Sequence, residues 1–382
     1  MNETLRAPRL VVDLDAVAAN YRHLAATAAH AACGAAVKGD GYGLGALEVS
    51  RRLVAEGCRT FFVATLDEAL ELRAASLGVG RTERRPAIVL LGGPLPGTEA
   101  EIVGAGVTPV LNSVDQARRW ADAARRVDRR LPAVVHVDTG MERLGLPHHG
   151  LAAALDEIGD ALNLVDVVGV MSHLACADDP DHELNRLQLE RFAAARRLLP
   201  DAPASLANSA GILLGEAWHL DLVRPGIGLY GGAPRPSEAS PMRPTVRLEA
   251  PIVQVRDVPV GATVGYGATH TTTAPTTTAT VAVGYADGFL RTASSRGSAA
   301  IAGVRVPIIG RVSMDLITLD VSTVERHHLH EGAPVELIGP TITVDEVAES
   351  AGTISYEILT DLGARYERAL VGAARRPARG SG

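Results

Sequence analysis

Short apolar runs alternate with longer amphipathic stretches through the first 225 or so residues of this chain, and that alternation limits its fold more than any other feature. The runs are Ala35 to Val37, Phe61 to Ala64, Ile88 to Leu91, Thr108 to Leu111, Ala133 to Val137, Val165 to Met171, Ala204 to Ala207 and Leu222 to Val223. The intervening stretches, such as 46–56, 66–76, 114–126 and 182–199, place apolar residues at helical spacing. A strand-like Leu10 to Val12 and a helical pattern over 14–30 precede the series. Eight strand-then-helix repeats over about 230 residues fit an α/β fold, the (β/α)8 TIM barrel.

A barrel packs its interior with side chains and keeps its chemistry on the loops at the C-terminal ends of the strands. The apolar runs do lead into polar residues and glycines: Lys38, Gly92 with Gly93, Asn112, Asp138 with Arg143 close behind, His173, Asn208 with Ser209, and Arg224 with Gly226. One rim would gather them all.

From about Ser240 the texture changes to Val, Thr and Ile punctuated by Pro and Gly, as in PIVQVRDVPVGATVGYG and RVPIIGRVSMDLITLDV, which reads as a mainly β C-terminal domain. The expected division is a barrel over 10–240 and a β-rich domain over 241–370. A strand within 1–12 is expected to pair with the second, and 371–382 to form a disordered tail.

Composition narrows the function. With 47% hydrophobic residues in 382, the chain can bury a large core, and a net charge of −7 spread along it argues against nucleic acid as a partner. No segment has about 18 consecutive uncharged apolar residues and the N-terminus lacks an apolar leader, so neither membrane nor export is expected and the location reads as cytoplasmic. Cys33, Cys58 and Cys176 are widely spaced, and the clusters His148–His149 and His327–His328–His330 lack carboxylate or cysteine at ligand spacing; no metal is expected. The ligand should be small.

The segment AAVKGDGYGLG ends an apolar run in a lysine and leads through four glycines toward a helix. By itself it admits a snorkelling lysine beside a flexible loop, or a loose dinucleotide fingerprint through Gly41, Gly43 and Ala46. The second option lacks an acidic residue at the end of the next strand, which stops at Thr65.

VKGDGYGLG (37–45) resembles the cofactor-lysine motif of the alanine racemase family, and other segments resemble that family in the same order: DTGMERLG (138–145), MSHLACAD (171–178), ANSAG (207–211), VRPGIGLYG (223–231), VGYGATH (264–270), VGYADGF (283–289), GRVSMD (310–315) and TISYEIL (353–359). The resemblance runs from near residue 10 to about residue 370. It implies a barrel followed by a β domain, pyridoxal 5'-phosphate as cofactor, and a homodimer whose active site is shared across the interface. The implied reaction is interconversion of L- and D-alanine, with a racemase of serine or of broader substrates, or a non-catalytic pyridoxal-phosphate carrier, as alternatives.

The resemblance also implies roles. Lys38 would hold the cofactor as a Schiff base and act as one base, and Tyr266 of the partner subunit would act as the other. Tyr42, Asn208, Ser209, Gly226, Ile227 and Tyr356 would surround the phosphate. Arg224, supported by His173, would face the pyridine nitrogen without protonating it, because a guanidinium holds its proton. Arg143 would bind the cofactor's phenolic oxygen and, with the Met314 backbone N–H, the substrate carboxylate, while Tyr285 and Tyr356 would narrow the entrance. The chain departs from the family at His136, where a lysine that becomes carbamylated is typical, and at Gly39, Gly41 and Leu44. A bound anion or a reoriented Asp138 is expected to compensate at Arg143, and the glycines to loosen the Lys38 loop.

Overall fold

The computed structural model describes residues 4–75, 77 and 85–372. Its first part is the expected parallel barrel. Strands Ala35–Ala36, Thr60–Val63, Ala87–Leu90, Thr108–Leu111, Leu131–Asp138, Val165–Met171 and Ala204–Ser205 follow one another in parallel register. The eighth, Leu222–Val223, pairs in parallel with Ala32–Cys33, just ahead of Ala35–Ala36. The Gly34 N–H then donates to Val223 O (3.0 Å) and the Ala36 N–H to Pro225 O (2.9 Å), so the seam is hydrogen-bonded and the sheet closes.

Local chemistry explains the helices between the strands. Asp13 caps Leu14–Thr27 by accepting from the Asp15 and Ala16 N–H groups, and Ser113 caps Val114–Arg126 by accepting from Gln116. Trp120, Ala117, Ala121 and Ala124 turn one stripe of the latter helix into the core. The first helix stops at Thr27, short of the expected residue 30, because the Ala31 N–H bonds back to Ala28 O (2.8 Å) to turn the chain into the first strand.

The second part is built on the long strand Val246–Val258, whose pairings shift register along its length. Its first half pairs with Pro334–Ile338 and its second half with Thr276–Val281, which in turn pairs with Ile317–Asp320. Strand Arg9–Asp13 lies between the first half of Val246–Val258 (antiparallel) and Glu367–Val371 (parallel). Val371, placed in the tail on sequence grounds, is therefore paired, opposite Asp13, because its strand completes that edge; 373–382 lie outside the described residues. None of the described helices is long and apolar enough to cross a membrane.

Candidate active site

A cavity of about 420 Å³ opens at the C-terminal rim of the barrel. Lys38, Tyr42, His136, Arg143, His173, Asn208, Ser209, Arg224, Gly226, Ile227 and Tyr356 all line it. Because most of them follow different strands, their convergence is a product of barrel closure rather than of sequence proximity.

Lys38 opens a turn of unusual hand. Gly39, Asp40, Gly41, Tyr42 and Gly43 have φ of 63°, 50°, 63°, 56° and 80°, a single left-handed helical turn. Such φ values cost an L-residue roughly 1–2 kcal/mol each, with Asp among the more tolerant types, so Gly39 and Gly41 relieve the turn rather than loosen it. The turn is pinned internally by Gly41 N–H to Val37 O (2.8 Å) and Gly43 N–H to Gly39 O (2.7 Å). The Tyr42 ring stacks on Tyr230 with centroids 4.5 Å apart, and the Tyr230 hydroxyl donates to Ala36 O at 2.9 Å. The Lys38 ammonium is thereby held in the cavity, where burial, reinforced by Arg143 and Arg224 and opposed by Glu68, lowers its pKa from the ordinary lysine value.

The opposite wall is cationic. Arg224 is 5% exposed and gives its guanidinium to Ser172 O (2.7 Å), Leu206 O (3.3 Å), Ser205 Oγ and His173 Nδ1 (3.3 Å). Burial lowers its pKa to about 10, so it stays charged at neutral pH and donates without surrendering a proton. His173 accepts at Nδ1, which fixes its neutral tautomer, and burial together with Arg224, Arg143 and Lys38 pushes its pKa well below the usual histidine value. Among the described residues no carboxylate forms an ion pair with Lys38, Arg143 or Arg224. A buried cationic cluster of this kind needs an anionic ligand to balance it.

His136 occupies the floor beside Arg143. Asn112 fixes its state: the Asn112 Nδ2 donates to Leu91 O (3.0 Å) and Val110 O (3.3 Å), which leaves Oδ1 to accept from His136 Nδ1–H at 2.7 Å. Burial, together with Arg224 and Arg143 and against Asp138, lowers the His136 pKa to about 4, so a neutral imidazole rather than a second cation faces Arg143. The expected reorientation of Asp138 is not what occurs. Its Oδ1 accepts from the Gly140 (2.8 Å) and Met141 (2.9 Å) N–H groups and its Oδ2 from the Arg143 N–H (3.0 Å), so it holds the backbone of the arginine loop and has no oxygen turned to the guanidinium.

At the far end of the cavity the Ser209 hydroxyl accepts from the Gly226 (2.8 Å) and Gly228 (3.2 Å) N–H groups, which leaves its own O–H to donate. Asn208 caps the short helix Ser209–Leu213 through the Gly211 N–H (2.9 Å). A Cβ on Gly226 would lie 2.2 Å from the Tyr42 hydroxyl, so this cradle of hydroxyls and main chain exists only because residue 226 has no side chain. Hydroxyl and N–H donors at the loops after strands seven and eight suit a phosphate. The cationic pocket, the accessible lysine and this cradle fit pyridoxal phosphate in size and charge. Tyr356 also lines the cavity, with its ring centroid 5.8 Å from that of Tyr42.

Three of the residues expected at the site lie outside it. Tyr266, Tyr285 and Met314 do not line the cavity and are 72%, 42% and 54% exposed on loops of the β domain. The latter two loops are zipped together by Tyr285 N–H to Ser313 O (3.0 Å) and Ala286 N–H to Met314 O (2.9 Å). Conversely, sequence reasoning passed over Glu68 and gave Asn112 no role. Glu68 carried a signal in the capping pattern Thr65-x-x-Glu68; Asn112 carried only its position at a strand end.

Comparison with known proteins gives a consistent result. The sequence profile of the alanine racemase N-terminal domain matches residues 12–234, and that of the alanine racemase C-terminal domain matches 245–370. The chain is 50% identical over 360 residues to an alanine racemase of Rhodospirillum rubrum, covering 94% of each protein. It is 46% identical over 372 residues to a catabolic alanine racemase of Agrobacterium fabrum, covering 97% of this chain and 94% of that one. The crystal structure of alanine racemase from Bartonella henselae with covalently bound pyridoxal phosphate superposes with a TM-score of 0.89 at 38% identity, over 96% of this chain and 99% of that one.

Proposed function

This chain belongs to the alanine racemase family, and we propose that it interconverts L- and D-alanine in the cytoplasm as a homodimer that binds pyridoxal 5'-phosphate. The observation that carries this reading is the cluster of Lys38, Arg143 and Arg224, unbalanced by any ion-paired carboxylate among the described residues, beside the Ser209 hydroxyl, whose O–H is left to donate because its oxygen accepts from Gly226. Pyridoxal phosphate, when bound, supplies the electron sink that makes the α-hydrogen of an amino acid acidic.

The residues then divide the work. Ser209, Gly226, Ile227 and Tyr42 hold the phosphate, with Asn208 fixing the helix that carries Ser209 and Tyr356 closing over it. Arg224, oriented by His173, would lie toward the cofactor's ring nitrogen, where a guanidinium that keeps its proton would favour simple return of a proton to the α-carbon. Lys38, its pKa lowered by burial and two arginines, presents a neutral amine more readily than a free lysine does and serves as the base on one face. Racemisation requires a second base opposite, and Tyr266 of the partner subunit fills that role; its 72% exposure outside the cavity of its own chain supports this reading. Arg143 and the backbone N–H of Met314 of the partner subunit receive the substrate carboxylate, and Tyr285 of the partner subunit narrows the entrance toward small side chains. Supply of D-alanine for cell-wall peptide is the service such an activity performs.

The test is the change in circular dichroism when the cofactor-loaded protein is offered L-alanine, L-serine and L-arginine separately, with Lys38→Ala as blank. Loss of optical activity with alanine alone is expected. Equal loss with serine would widen the substrate set, and no loss with any amino acid despite bound cofactor would replace the racemase reading with that of a carrier.

A further inference from the structure

Glu68 is an anion that the roles above leave unused, and it stands beside Lys38. It occupies the third position of helix Leu66–Ala74, where a capping box needs one carboxylate oxygen: the Thr65 hydroxyl accepts from the Glu68 N–H (3.3 Å) and the Thr65 N–H donates to Glu68 Oε2 (3.2 Å). That box accounts for only part of what the carboxylate does. Oε2 also accepts from the Ala64 N–H at 2.7 Å, and Oε1 turns away from the helix to accept from the Gly39 N–H at 2.6 Å, across 29 residues of chain. One carboxylate thus ties the loop after the first barrel strand to the loop after the second.

We propose that Glu68 is a positioning residue for Lys38, setting both the orientation of its backbone and the charge that its amine faces. The bond falls on the peptide that joins Lys38 to the first of the five left-handed residues, so it fixes the plane from which the lysine side chain departs. A turn of that hand is intrinsically unfavourable and is held only by its anchors. Electrostatics adds a second effect. The charged or titratable groups around Lys38 are Arg143, Arg224, His136, His173, Tyr42 and Tyr356, and Glu68 is the one that favours the ammonium against burial and the two arginines. Its charge therefore keeps the lysine from becoming permanently neutral, so that it can both take and return a proton.

The inference rests on the reading of Lys38 as a base, and its test has two arms. In the first, Lys38 of the full-length chain without cofactor is labelled with an amine-acylating reagent across a pH series and quantified by peptide mass spectrometry. Glu68→Gln should move the pH of half-maximal labelling downward and Glu68→Asp should move it less; an unchanged midpoint would overturn the electrostatic half of the proposal whether or not the protein racemises alanine. In the second, the loaded enzyme is assayed with α-deuterated L- and D-alanine. The two enantiomers have equal free energy, so kcat/KM must stay equal in the two directions, but the isotope effects need not. A defect confined to the lysine face should lower kcat about ten- to hundredfold, raise the deuterium effect for one enantiomer and reduce it for the other. Thr65→Val, which removes the hydroxyl half of the capping box without touching Gly39, should lower thermal stability and leave the two isotope effects as in the parent. If Glu68→Gln behaves as Thr65→Val does, Glu68 is a helix cap and nothing more. A parent protein that does not racemise alanine would refute the proposed function separately.

Discussion

Acid should destabilise this protein through His136, and the size of the effect follows from its surroundings. The imidazole is 9% exposed, donates from Nδ1 to Asn112, and is held neutral by burial and by Arg224 and Arg143, with its pKa lowered from 6.5 to about 4. Because the folded pKa is the lower one, the unfolded chain binds a proton that the folded chain refuses between those two values. The stability associated with a neutral His136 is therefore complete above about pH 6.5 and is lost as the pH falls toward about 4. The full span is worth about 3 kcal/mol, and the portion between about pH 7 and about pH 5 is about 2 kcal/mol. His136→Gln keeps a donor for Asn112 and removes the titration. Urea unfolding of parent and variant at matched protein and cofactor concentrations, at pH values from about 7 to about 5, should show the parent losing ~2 kcal/mol more than the variant. His173, held neutral chiefly by burial and Arg224, is present in both proteins. Parallel pH curves would refute the assignment of His136 as a neutral imidazole.

Gly226→Ala drives a methyl into the Tyr42 hydroxyl and should weaken pyridoxal-phosphate affinity at least about tenfold in a fluorescence-quenching titration, since one must move for the other to fit. Lys38→Ala and Tyr266→Phe should each be inactive alone, yet mixing and reassociating them should recover about a quarter of parental activity, because half of the resulting twofold dimers carry one intact site; no recovery would place both bases on one chain. Asp138→Asn replaces one acceptor oxygen with a donor beneath the arginine loop and should cost about 1–3 kcal/mol in stability while raising KM for alanine more than it lowers kcat.

Much of this was legible because a barrel converts sequence order into spatial order. Eight apolar runs located eight strands, and the polar residues that end them converge without any need to know the helices in detail. What escaped the sequence has a common physical character: it depends on hydrogen bonds between loops that periodicity does not encode. The departures at Gly39 and Gly41 read as flexibility, whereas the backbone there is wound into a left-handed turn that asks for glycine. His136 read as an electrostatic difficulty because its partner, Asn112, lies on another strand, and the two carbonyls that orient that amide are invisible in a sequence. Asp138 was legible as a rim carboxylate, but not that both its oxygens are spent on main-chain N–H groups. Tyr266, Tyr285 and Met314 were singled out by resemblance alone, and a single chain leaves them on the outside of the β domain.

Strand Arg9–Asp13 sits between Val246–Val258 and Glu367–Val371, both made long after it. On the ribosome, then, the earliest strand emerges with neither neighbour yet in existence, while the barrel that follows it can close as soon as Leu222–Val223 is free to meet Ala32–Cys33. The segment must be carried unpaired through synthesis of the barrel, gains a first neighbour when Val246–Val258 emerges at the start of the β domain, and a second only when Glu367–Val371 follows. A nascent chain stalled before residue 367 would hold a barrel with its rim chemistry in place and an open sheet edge beside it, the kind of edge that invites pairing with another chain.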